Sequence, residues 1–456
     1  MSETLVARAE AAFLPEILAS YTDDGPRLML ADYLAESLNA AASARAEFIR
    51  IQLALARLSP DHPRWPELTA RQTDLLQAYE ADWAAPLAGI ATAVEFRRGL
   101  LDSIAIDARR FLDLGVELFR LAPIRRVRLL DVRDFCQRIA QCPALAHLRE
   151  LDLCGSDLGS GGLAMLLRSP YLTRLHHLDL SFTGLDDAAM LLLARTRSLP
   201  RLRQLLMTDN GAITGQGIRM LSTGRCFPSL VSLDLAGNAV DELGVQALVT
   251  SRVFPRLRQV QIHANPLGDV GVANLINSSR FSWFIDGHGG INLRHTRISA
   301  TGAISLASSP SLRRVIRLDL SGNNLGNRGL AAIAYSPHLP RLRHFSVCQA
   351  EIYDDGAALL ADSPLMRRLQ RLDITENYLS SQAISWLYLK RRNWKTVLET
   401  WGNAAASEMT GITGPADDES RLPEAARFEQ LRRRYLPEAF RSEPRPRPVN
   451  LPESQD

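Results

Sequence analysis

The sequence predicts an α/β solenoid in which short parallel strands alternate with helices along most of the 456 residues. An apolar frame, L-x-x-L-x-L-x-x-(N/S/T)-x-L, occurs nine times between Leu148 and Leu379. The second apolar residue of this frame recurs after 27, 27, 28, 27, 31, 27, 27 and 27 residues. Each frame continues into a stretch rich in Gly, Ala and Leu, such as GQGIRMLS or NRGLAAIAYS. A constant period of about 20–50 residues indicates supersecondary units that stack on one another.

Each frame is typical of a strand, and each following stretch is typical of a helix. One such unit cannot bury its apolar face alone, so neighbouring units stack into a parallel sheet with the helices on the other side. Successive residues of a strand point in opposite directions. Because the leucines of the frame face the core, the residues between them face outward. We call the surface that these outward residues form the strand face.

The nine frames resemble leucine-rich repeats, and the 27–28-residue period with a full helix is similar to the ribonuclease-inhibitor-like class. The resemblance covers about residues 148–392. It implies a horseshoe with a parallel sheet inside and helices outside, and it implies recognition of proteins. It also implies that asparagines satisfy the backbone groups of the turns. These are Asn210, Asn238, Asn265, Asn323 and Asn377, with Ser156, Thr183, Thr296 and Ala350 in the same slot of other repeats.

Two helical blocks precede the repeats. DDGPRLMLADYLAES (23–37) is followed by ARAEFIRIQLALARL (44–58), and the pair resembles a bacterial repeat-companion domain found ahead of leucine-rich repeats. This resemblance implies a bacterial protein and no particular activity. We expect an ion-pair cluster between the two helices, formed by Arg27, Asp32, Glu47 and Arg50. The alternative is a catalytic Asp/Glu pair, but no nucleophile or metal ligand accompanies it.

Further elements are expected on both sides of the repeats. A third helix over 66–85 and a strand over 95–107 lead into the solenoid and cover the open edge of its sheet. Residues 385–401 suit a closing helix, and 427–436 suit a short helix. The predicted domains are a helical repeat-companion domain (1–90), an N-terminal cap with the first strands (91–147), the repeats with their C-terminal cap (148–402) and a mostly disordered tail (403–456).

Composition and charge exclude several classes of protein. With 46% hydrophobic and 23% charged residues, a buried core is expected. No run of about 18 apolar residues occurs, so no membrane helix is predicted. The net charge of +3 divides into −6 for residues 1–90, +3 for 91–147, +8 for 148–402 and −2 for the remainder. This distribution is unlike the dense basic stripe of a nucleic-acid binder. Neither nucleic acid nor a membrane is therefore a predicted partner.

The five cysteines are widely spaced, and no CxxC motif occurs. Neither zinc ligation nor a disulfide framework is expected from this pattern. The first twenty residues mix acids and arginines without an apolar run, which argues against a secretory signal. These features predict reduced thiols and a cytoplasmic location.

Known catalytic motifs do not occur in the sequence. There is no GxxxxGKS/T, HExxH, GxSxG or EF-hand pattern. His176, His177 and His344 lie in repeats that are far apart in sequence, which favours polar surface residues over metal ligands. We therefore predict no enzyme, no catalytic residue, no metal and no cofactor.

The strand face, which is the concave face of the expected horseshoe, contains the predicted protein-binding residues. They are Asp152, His177, Asp179, Asp234, His263, Arg294, Arg317, Asp319, His344, Arg371 and Asp373. Two interpretations of the aspartates remain open. Together with cationic groups towards the C-terminal repeats they form a polarised surface for a protein ligand, or they serve solubility and hydrogen bonding at the strand edge. The arginines and histidines vary from repeat to repeat, which favours binding.

The step of 31 residues marks an insertion with clustered aromatic residues. The segment NSSRFSWFIDGHGG (277–290) contains Phe281, Trp283 and Phe284. Clustered aromatics are typical of binding hot spots, which makes these three residues a second candidate protein-binding site. The alternative is that they repack a helix layer that the insertion interrupts.

Together these features predict a non-catalytic module that binds a protein ligand on the strand face. One alternative is an adaptor or regulatory subunit that recruits or controls an enzyme through its N-terminal domain. Another is an enzyme that uses residues of 1–147. The sequence predicts neither the identity of the protein partner nor the oligomeric state.

Overall fold

The computed structural model describes residues 5–37, 39–59, 62–224, 227–390, 397–403 and 424–440. The chain divides into two compact units. The first comprises Met1–Ala212, Thr223–Leu233 and Val253–Arg256. The second comprises Ile213–Ser222, Asp234–Arg252 and Leu257–Asp456.

Helices and strands alternate through the repeats of the first unit. Its helices are α1 (Leu5–Ala19), α2 (Gly25–Ala35), α3 (Ala40–Leu55), α4 (Trp65–Trp83), α5 (Ala108–Leu114), α6 (Leu118–Leu121), α7 (Cys136–Ala140), α8 (Gly159–Leu166) and α9 (Asp187–Arg195). Its strands are β1 (Ala93–Arg97), β2 (Leu100–Asp107), β3 (Arg126–Leu130), β4 (Glu150–Asp152), β5 (His177–Asp179), β6 (Gln204–Leu206) and the start of β7 (Ser232–Asp234).

The second unit continues the same alternation. Its helices are α10 (Gly215–Leu221), α11 (Glu242–Thr250), α12 (Gly268–Ile276), α13 (Ala300–Ser308), α14 (Gly326–Ala334), α15 (Asp354–Ala361), α16 (Ser381–Lys390) and α17 (Glu424–Tyr435). Its strands are β8 (Gln259–Gln261), β9 (Gly290–Asn292), β10 (Arg317–Asp319), β11 (His344–Ser346), β12 (Arg371–Asp373) and β13 (Val397–Glu399). Among the described residues, no helix combines the length and the apolar character needed to cross a membrane.

Parallel pairing in chain order confirms the predicted α/β repeat architecture. In the first unit, β1 and β2 are antiparallel, and β2 to β6 are parallel neighbours. In the second unit, β9 to β13 are parallel neighbours. Leu151 lies opposite Leu178, which lies opposite Leu205, and all three are fully buried. Within each unit, the leucines of the frame therefore form a core column, and neighbouring helices such as α8 and α9, or α10 and α11, pack side by side.

The asparagines of the frame form the predicted ladder. The side-chain amide of Asn323 donates to the carbonyl oxygens of Leu293 and Leu320, at 2.7 and 2.9 Å. Its Oδ1 accepts from the backbone N–H groups of Thr296 and Ile298, at 3.0 and 2.9 Å. Asn323 is almost fully buried. One side chain therefore satisfies backbone groups of two consecutive turns, which would otherwise be buried without partners.

Other asparagines of the frame also bind the turn of the preceding repeat. Asn210, Asn265 and Asn377 make equivalent bonds. Ala350 has no polar side chain, but its N–H donates to Asn377 Oδ1 at 3.0 Å. The turn that contains Ala350 is therefore held by the repeat that follows it.

The N-terminal helices pack against a hairpin, not against the single strand that the sequence predicts there. A turn at Arg98 and Gly99, with φ of +53° and +87°, separates β1 from β2. Two successive positive φ values are typical of tight hairpin turns, and the apolar pattern does not reveal them. The ring of Phe96 on β1 packs against Phe48 and Trp83, with centroids 5.6 and 6.1 Å away.

The predicted four-residue ion-pair cluster does not form. Asp32 pairs with Arg50 at 2.6 Å, whereas Glu47 pairs with Arg71 of α4 at 2.7 Å. Arg27 is fully buried and donates to backbone carbonyl oxygens. The prediction is wrong because the guanidinium of Arg27 lies on the buried side of α2, where backbone acceptors replace carboxylates.

The expected closing helix over 385–401 is also wrong. Helix α16 ends at Lys390, and β13 pairs in parallel with β12. Asn403 then takes the asparagine slot, and its Oδ1 accepts from the N–H of Asn377 at 2.9 Å. A tenth frame therefore follows the nine of the sequence analysis. The apolar pattern of the sequence does not reveal this tenth frame, because only Leu398 and Asn403 match the frame.

The short helix predicted over 427–436 is confirmed as α17. Leu431, Leu436 and Phe440 are buried, and the hydroxyl of Tyr435 donates to Asp355 Oδ2 at 3.0 Å. Helix α17 therefore packs against α15 in the second unit. The segments 404–423 and 441–456, which belong to the predicted disordered tail, lie outside the described residues.

Candidate functional site

The strands hold the predicted binding residues in columns on the strand face. In the first unit, His177 lies between Glu150 and Gln204, and Asp179 lies opposite Asp152. In the second unit, one column contains Gly290, Arg317, His344 and Arg371, and the other contains Asn292, Asp319, Ser346 and Asp373. Asp234 takes the slot of Asp319 at β7, whereas His263 and Arg294 follow the third apolar residue of the frame, two residues beyond the ends of β8 and β9. Their role in binding stays a prediction.

The aspartates of the strand face cap the ends of their own strands. Oδ1 of Asp179 accepts from the N–H of Ser181 at 2.9 Å. Asp152, Asp234, Asp319 and Asp373 make the same bond, at 3.0, 3.0, 3.0 and 3.1 Å. Such a bond to a backbone N–H two residues on is a local turn interaction. It favours the structural interpretation of the aspartates, which the sequence left open.

Two of the three predicted arginines are paired within the chain. Nη2 of Arg317 lies 3.1 Å from Oδ2 of Asp286, within the insertion. Nη2 of Arg371 lies 2.6 Å from Oε1 of Glu399 on β13. Arg294 is exposed and has no ion pair among the described residues. A ligand of the second unit therefore meets Arg294 without having to displace a carboxylate.

The aromatic insertion is largely buried. Residues Phe281–Phe284 form a 3₁₀ helix in which Phe281 and Phe284 are 5% and 6% exposed. Trp283 is half-buried, and the guanidinium of Arg280 lies 4.5 Å from its ring centroid. The burial favours the alternative that the insertion repacks the helix layer. The predicted hot spot is untested, and only Trp283 remains accessible for it.

A cleft in the first unit was not anticipated from the sequence. Its volume is about 1230 Å³. Gln52, Trp65, Thr69 and Gln72 of helices α3 and α4 line one side. The first residues of successive strands line the other side, and His177 is the one predicted binding residue among them. We call this space the N-terminal cleft.

Basic residues form the strand side of the N-terminal cleft. One basic residue comes immediately before each of the consecutive strands β3 to β6. These residues are Arg125, Arg149, His176 and Arg203. The N–H of Arg149 donates to Arg125 O at 2.9 Å, that of His176 to Arg149 O at 2.7 Å, and that of Arg203 to His176 O at 2.8 Å. Adjacent strands lie about 4.8 Å apart, so the four side chains begin one strand spacing from each other. We call these four residues the cationic edge.

Like charges along the cationic edge affect its titration. Burial, with the guanidinium groups of Arg125 and Arg174 nearby, lowers the pKa of Arg149. Burial, with the charges of Arg149 and Arg203, lowers the pKa of His176. The lowered pKa favours the neutral form of His176, so the positive charge of the edge comes mainly from its arginines.

The carboxylates of the N-terminal cleft already have partners. Asp102 is 4% exposed, and the hydroxyl of Tyr21 donates to its Oδ1. Burial raises the pKa of Asp102, and burial and the charge of Asp102 raise the pKa of Tyr21 to about 12. Oε1 of Glu150 lies 3.3 Å from Nη1 of Arg97. The guanidinium of Arg125 lies over the Tyr21 ring, 3.6 Å from its centroid.

One group of described residues has the spacing of metal ligands. Atoms of Asp152, Cys154 and Asp179 lie within 4.8 Å of one another. Nη2 of Arg126 is 3.0 Å from Oδ2 of Asp152, so a metal ion would compete with this guanidinium. Burial raises the pKa of the Cys154 thiol, which disfavours the thiolate that ligates metals. We assign no metal to this group.

The sequence contains a signal for the cationic edge, but it lies outside the slots that were considered. Arg149, His176 and Arg203 recur every 27 residues, immediately after the first leucine of the frame. The strand face, as predicted, consists of the residues on either side of the second leucine and the residue after the third. The contribution of α3 and α4 to the same cleft follows from tertiary packing and has no periodic signal.

Comparisons with known proteins agree with the repeat architecture. A family model described as a leucine-rich repeat matches residues 228–249 and 315–334. A solved structure of an internalin from Listeria monocytogenes is similar at 14% identity, over 79% of this chain and 90% of that chain, with a TM-score of 0.35. No curated protein matches the sequence significantly. The alternating strands and helices and the asparagine ladder define a leucine-rich repeat fold, and the two matched segments agree with it.

Proposed function

We propose that the protein is a non-catalytic binding module that takes a protein ligand on its strand face. The observation that carries the proposal is that each strand has two kinds of position, one for the core and one for the surface. The leucines of the frame are buried, while the slots between them hold side chains that differ from repeat to repeat, such as Arg317 and His344 in adjacent strands. Varied side chains on a regular support suit recognition of a specific protein surface.

The finer assignment is part of the same proposal. The 27–28-residue period and the helix in each repeat support the ribonuclease-inhibitor-like class, and helices α1 to α4 support a bacterial repeat-companion domain over residues 1–90. Cys136, Cys142, Cys154 and Cys348 carry free thiols, which supports a reducing, cytoplasmic location.

A second candidate function is that of an adaptor that contacts an enzyme through its N-terminal helices. The N-terminal cleft favours it, because Gln52 and Trp65 of the helices and Arg149 of the repeats line the same space. A partner that binds there contacts the helices and the repeats at once.

The test is affinity capture from the source cells, followed by a binding measurement with each purified partner. The variant Arg294→Glu/His344→Glu changes two accessible residues of the strand face, and we expect it to weaken binding at least about tenfold. The matched control is Arg328→Glu/Gln216→Glu, which makes the same charge change on exposed residues of α14 and α10. Circular dichroism verifies that both variants fold.

Equal affinity of the wild type and both variants would move the binding site away from the strand face of the second unit. Equal weakening by the control would show a general charge effect instead of a site. Capture of no partner under native conditions would overturn the proposal of a protein-binding module.

A further inference from the structure

We propose that the N-terminal cleft binds an acidic segment of a protein ligand, whose carboxylate or phosphate groups lie along the cationic edge. This inference rests on the proposed function, because it names the chemistry of the partner. It adds a site that the strand-face proposal does not contain.

The first argument is the unmatched charge of the cationic edge. The acids that line the cleft are Asp102 and Glu150, which are engaged by Tyr21 and by Arg97. Among the described residues, none of the three arginines of the edge forms an ion pair with a carboxylate, although Arg125 and Asp102 attract each other electrostatically. Like charges one or two strand spacings apart repel each other, and a bound anion reduces that repulsion.

The second argument is that two of the three guanidinium groups are held in place without being neutralised. The guanidinium of Arg125 lies over the ring of Tyr21, and Nη1 of Arg149 donates to the carbonyl oxygen of Arg174 at 3.2 Å. Arg203 is exposed at the far end of the edge. Arginine presents several N–H donors in a plane that fits carboxylates and phosphates, and most of these donors remain available.

The third argument is the length of the cleft. From Arg125 to Val231, both of which line it, four strand spacings of about 4.8 Å give roughly 19 Å. An extended peptide rises about 3.3 Å per residue, so about six residues span this distance. The volume of about 1230 Å³ exceeds what a single inorganic ion fills.

The fourth argument concerns the class of the ligand. Gln52, Gln72 and Gln204 offer side-chain amides that suit a peptide backbone, and Trp65 offers an apolar surface. The residues of α3 and α4 that line the cleft carry no charge. Nucleic-acid binders present dense positive charge, whereas three arginines along one side of a cleft suit a short acidic peptide.

The test uses the full-length chain and blocked synthetic peptides in isothermal titration calorimetry. The probes are a hexaglutamate peptide, a hexaglutamine peptide of the same length, inorganic phosphate and an oligothymidylate. We expect hexaglutamate to bind at least about tenfold more tightly than hexaglutamine, with an affinity that falls as salt increases. A peptide of six phosphoserines distinguishes carboxylate from phosphate ligands. If it binds more tightly than hexaglutamate does, the edge is assigned to phosphate groups.

The variant Arg149→Gln/Arg203→Gln removes two charges of the edge, and we expect it to weaken hexaglutamate binding about tenfold or more. The matched control is Arg258→Gln/Arg343→Gln, which changes residues in the same slot before β8 and β11, outside the cleft, and should leave the affinity unchanged. Because Arg149 also binds a backbone carbonyl, Arg149→Lys/Arg203→Lys keeps the charge without the planar guanidinium, and it should bind hexaglutamate more tightly than the glutamine variant does.

Equal binding of hexaglutamate and hexaglutamine would overturn the proposal, and so would an affinity that the edge variant leaves unchanged. Preference for oligothymidylate would assign the cleft to nucleic acid and overturn the peptide. A captured partner that the edge variant still binds fully, and that hexaglutamate does not displace, would refute this inference while the proposed function stands. Hexaglutamate binding without any captured partner would refute the proposed function instead.

Discussion

Gln52 connects the N-terminal helices to the first hairpin through its side-chain amide. Its Oε1 accepts from the N–H of Gly99 at 2.6 Å, and its Nε2 donates to the carbonyl oxygen of Phe96 at 3.2 Å. Both bonds satisfy backbone groups on either side of the turn between β1 and β2. The hairpin turn is therefore held against α3 by one residue, and its backbone approaches the helix closely.

Gly99 is required at this turn for two physical reasons. Its φ is +87°, and an added Cβ would lie 2.6 Å from Cα of Ile49. We expect Gly99→Ala to lower the free energy of unfolding by about 2 kcal/mol or more. The control is Gly89→Ala, where φ is +73° but no atom lies within 4 Å, so about 1 kcal/mol is expected. Urea unfolding measures both, and equal losses would contradict the close approach to α3.

Tyr21 makes the stability depend on pH at the alkaline end. Burial raises its pKa to about 12 from an ordinary value of 10.0, so the unfolded chain ionises the phenol before the folded protein does. Below about pH 10 the phenol is neutral in both states, and its contribution to the free energy of unfolding is fully present. As the pH rises to about 12, the free energy of unfolding falls by up to about 3 kcal/mol.

The variant Tyr21→Phe should remove this part of the alkaline loss. The measurement is the change in unfolding free energy between about pH 9 and pH 11.5, compared between wild type and variant. The variant also lacks the hydrogen bond from Tyr21 to Asp102. This loss lowers the stability of the variant at both pH values, so it cancels when the difference between the two pH values is taken. Parallel pH profiles of the two proteins would show that Tyr21 ionises normally.

At the scale of elements, the ends of the repeats differ most from the sequence prediction. The residues that form β13 and its turn match the frame only at Leu398 and Asn403, yet the strand pairs with β12. Glu399 of this strand also binds Arg371 of the strand face. A terminal repeat has a neighbour on one side only, so fewer of its positions must be leucine, and the periodic signal fades.

Helix α17 is expected to contribute to the stability of the second unit. Leu431 is 3% exposed, so Leu431→Ala should lower the free energy of unfolding by about 2–4 kcal/mol. Glu438→Ala changes an exposed residue of the same segment and should change stability by less than about 0.5 kcal/mol. Chemical denaturation followed by circular dichroism compares the two variants. No loss in Leu431→Ala would mean that α17 does not pack on the repeats.

At the scale of the whole molecule, each repeat contacts mainly its neighbours, so the effect of a mutation is expected to decline with distance along the chain. Asn323→Ala leaves the N–H groups of Thr296 and Ile298 without their acceptor, at a cost of about 2–4 kcal/mol.

Hydrogen exchange read by mass spectrometry measures how far this loss extends. We expect faster exchange in α13 and α14, on either side of the altered turn, and unchanged protection in α1 to α4. Asn292→Ala, which removes a single bond to the N–H of Arg294 on the strand face, is the control. Uniformly faster exchange in every helix would show that the protein unfolds as one cooperative unit instead.

The sequence by itself determined the repeat architecture, its strands and the asparagine ladder, because these depend on residue spacing that stacking turns into columns. It also located the strand face, since alternation along a strand assigns each side chain to one side. The tertiary structure alone decided which of those side chains remain available. Arg317 and Arg371 are paired with Asp286 and Glu399, and two of the three predicted aromatics are buried. It alone also brought α3 and α4 over the cationic edge, because contacts between segments that share no period leave no pattern in the sequence.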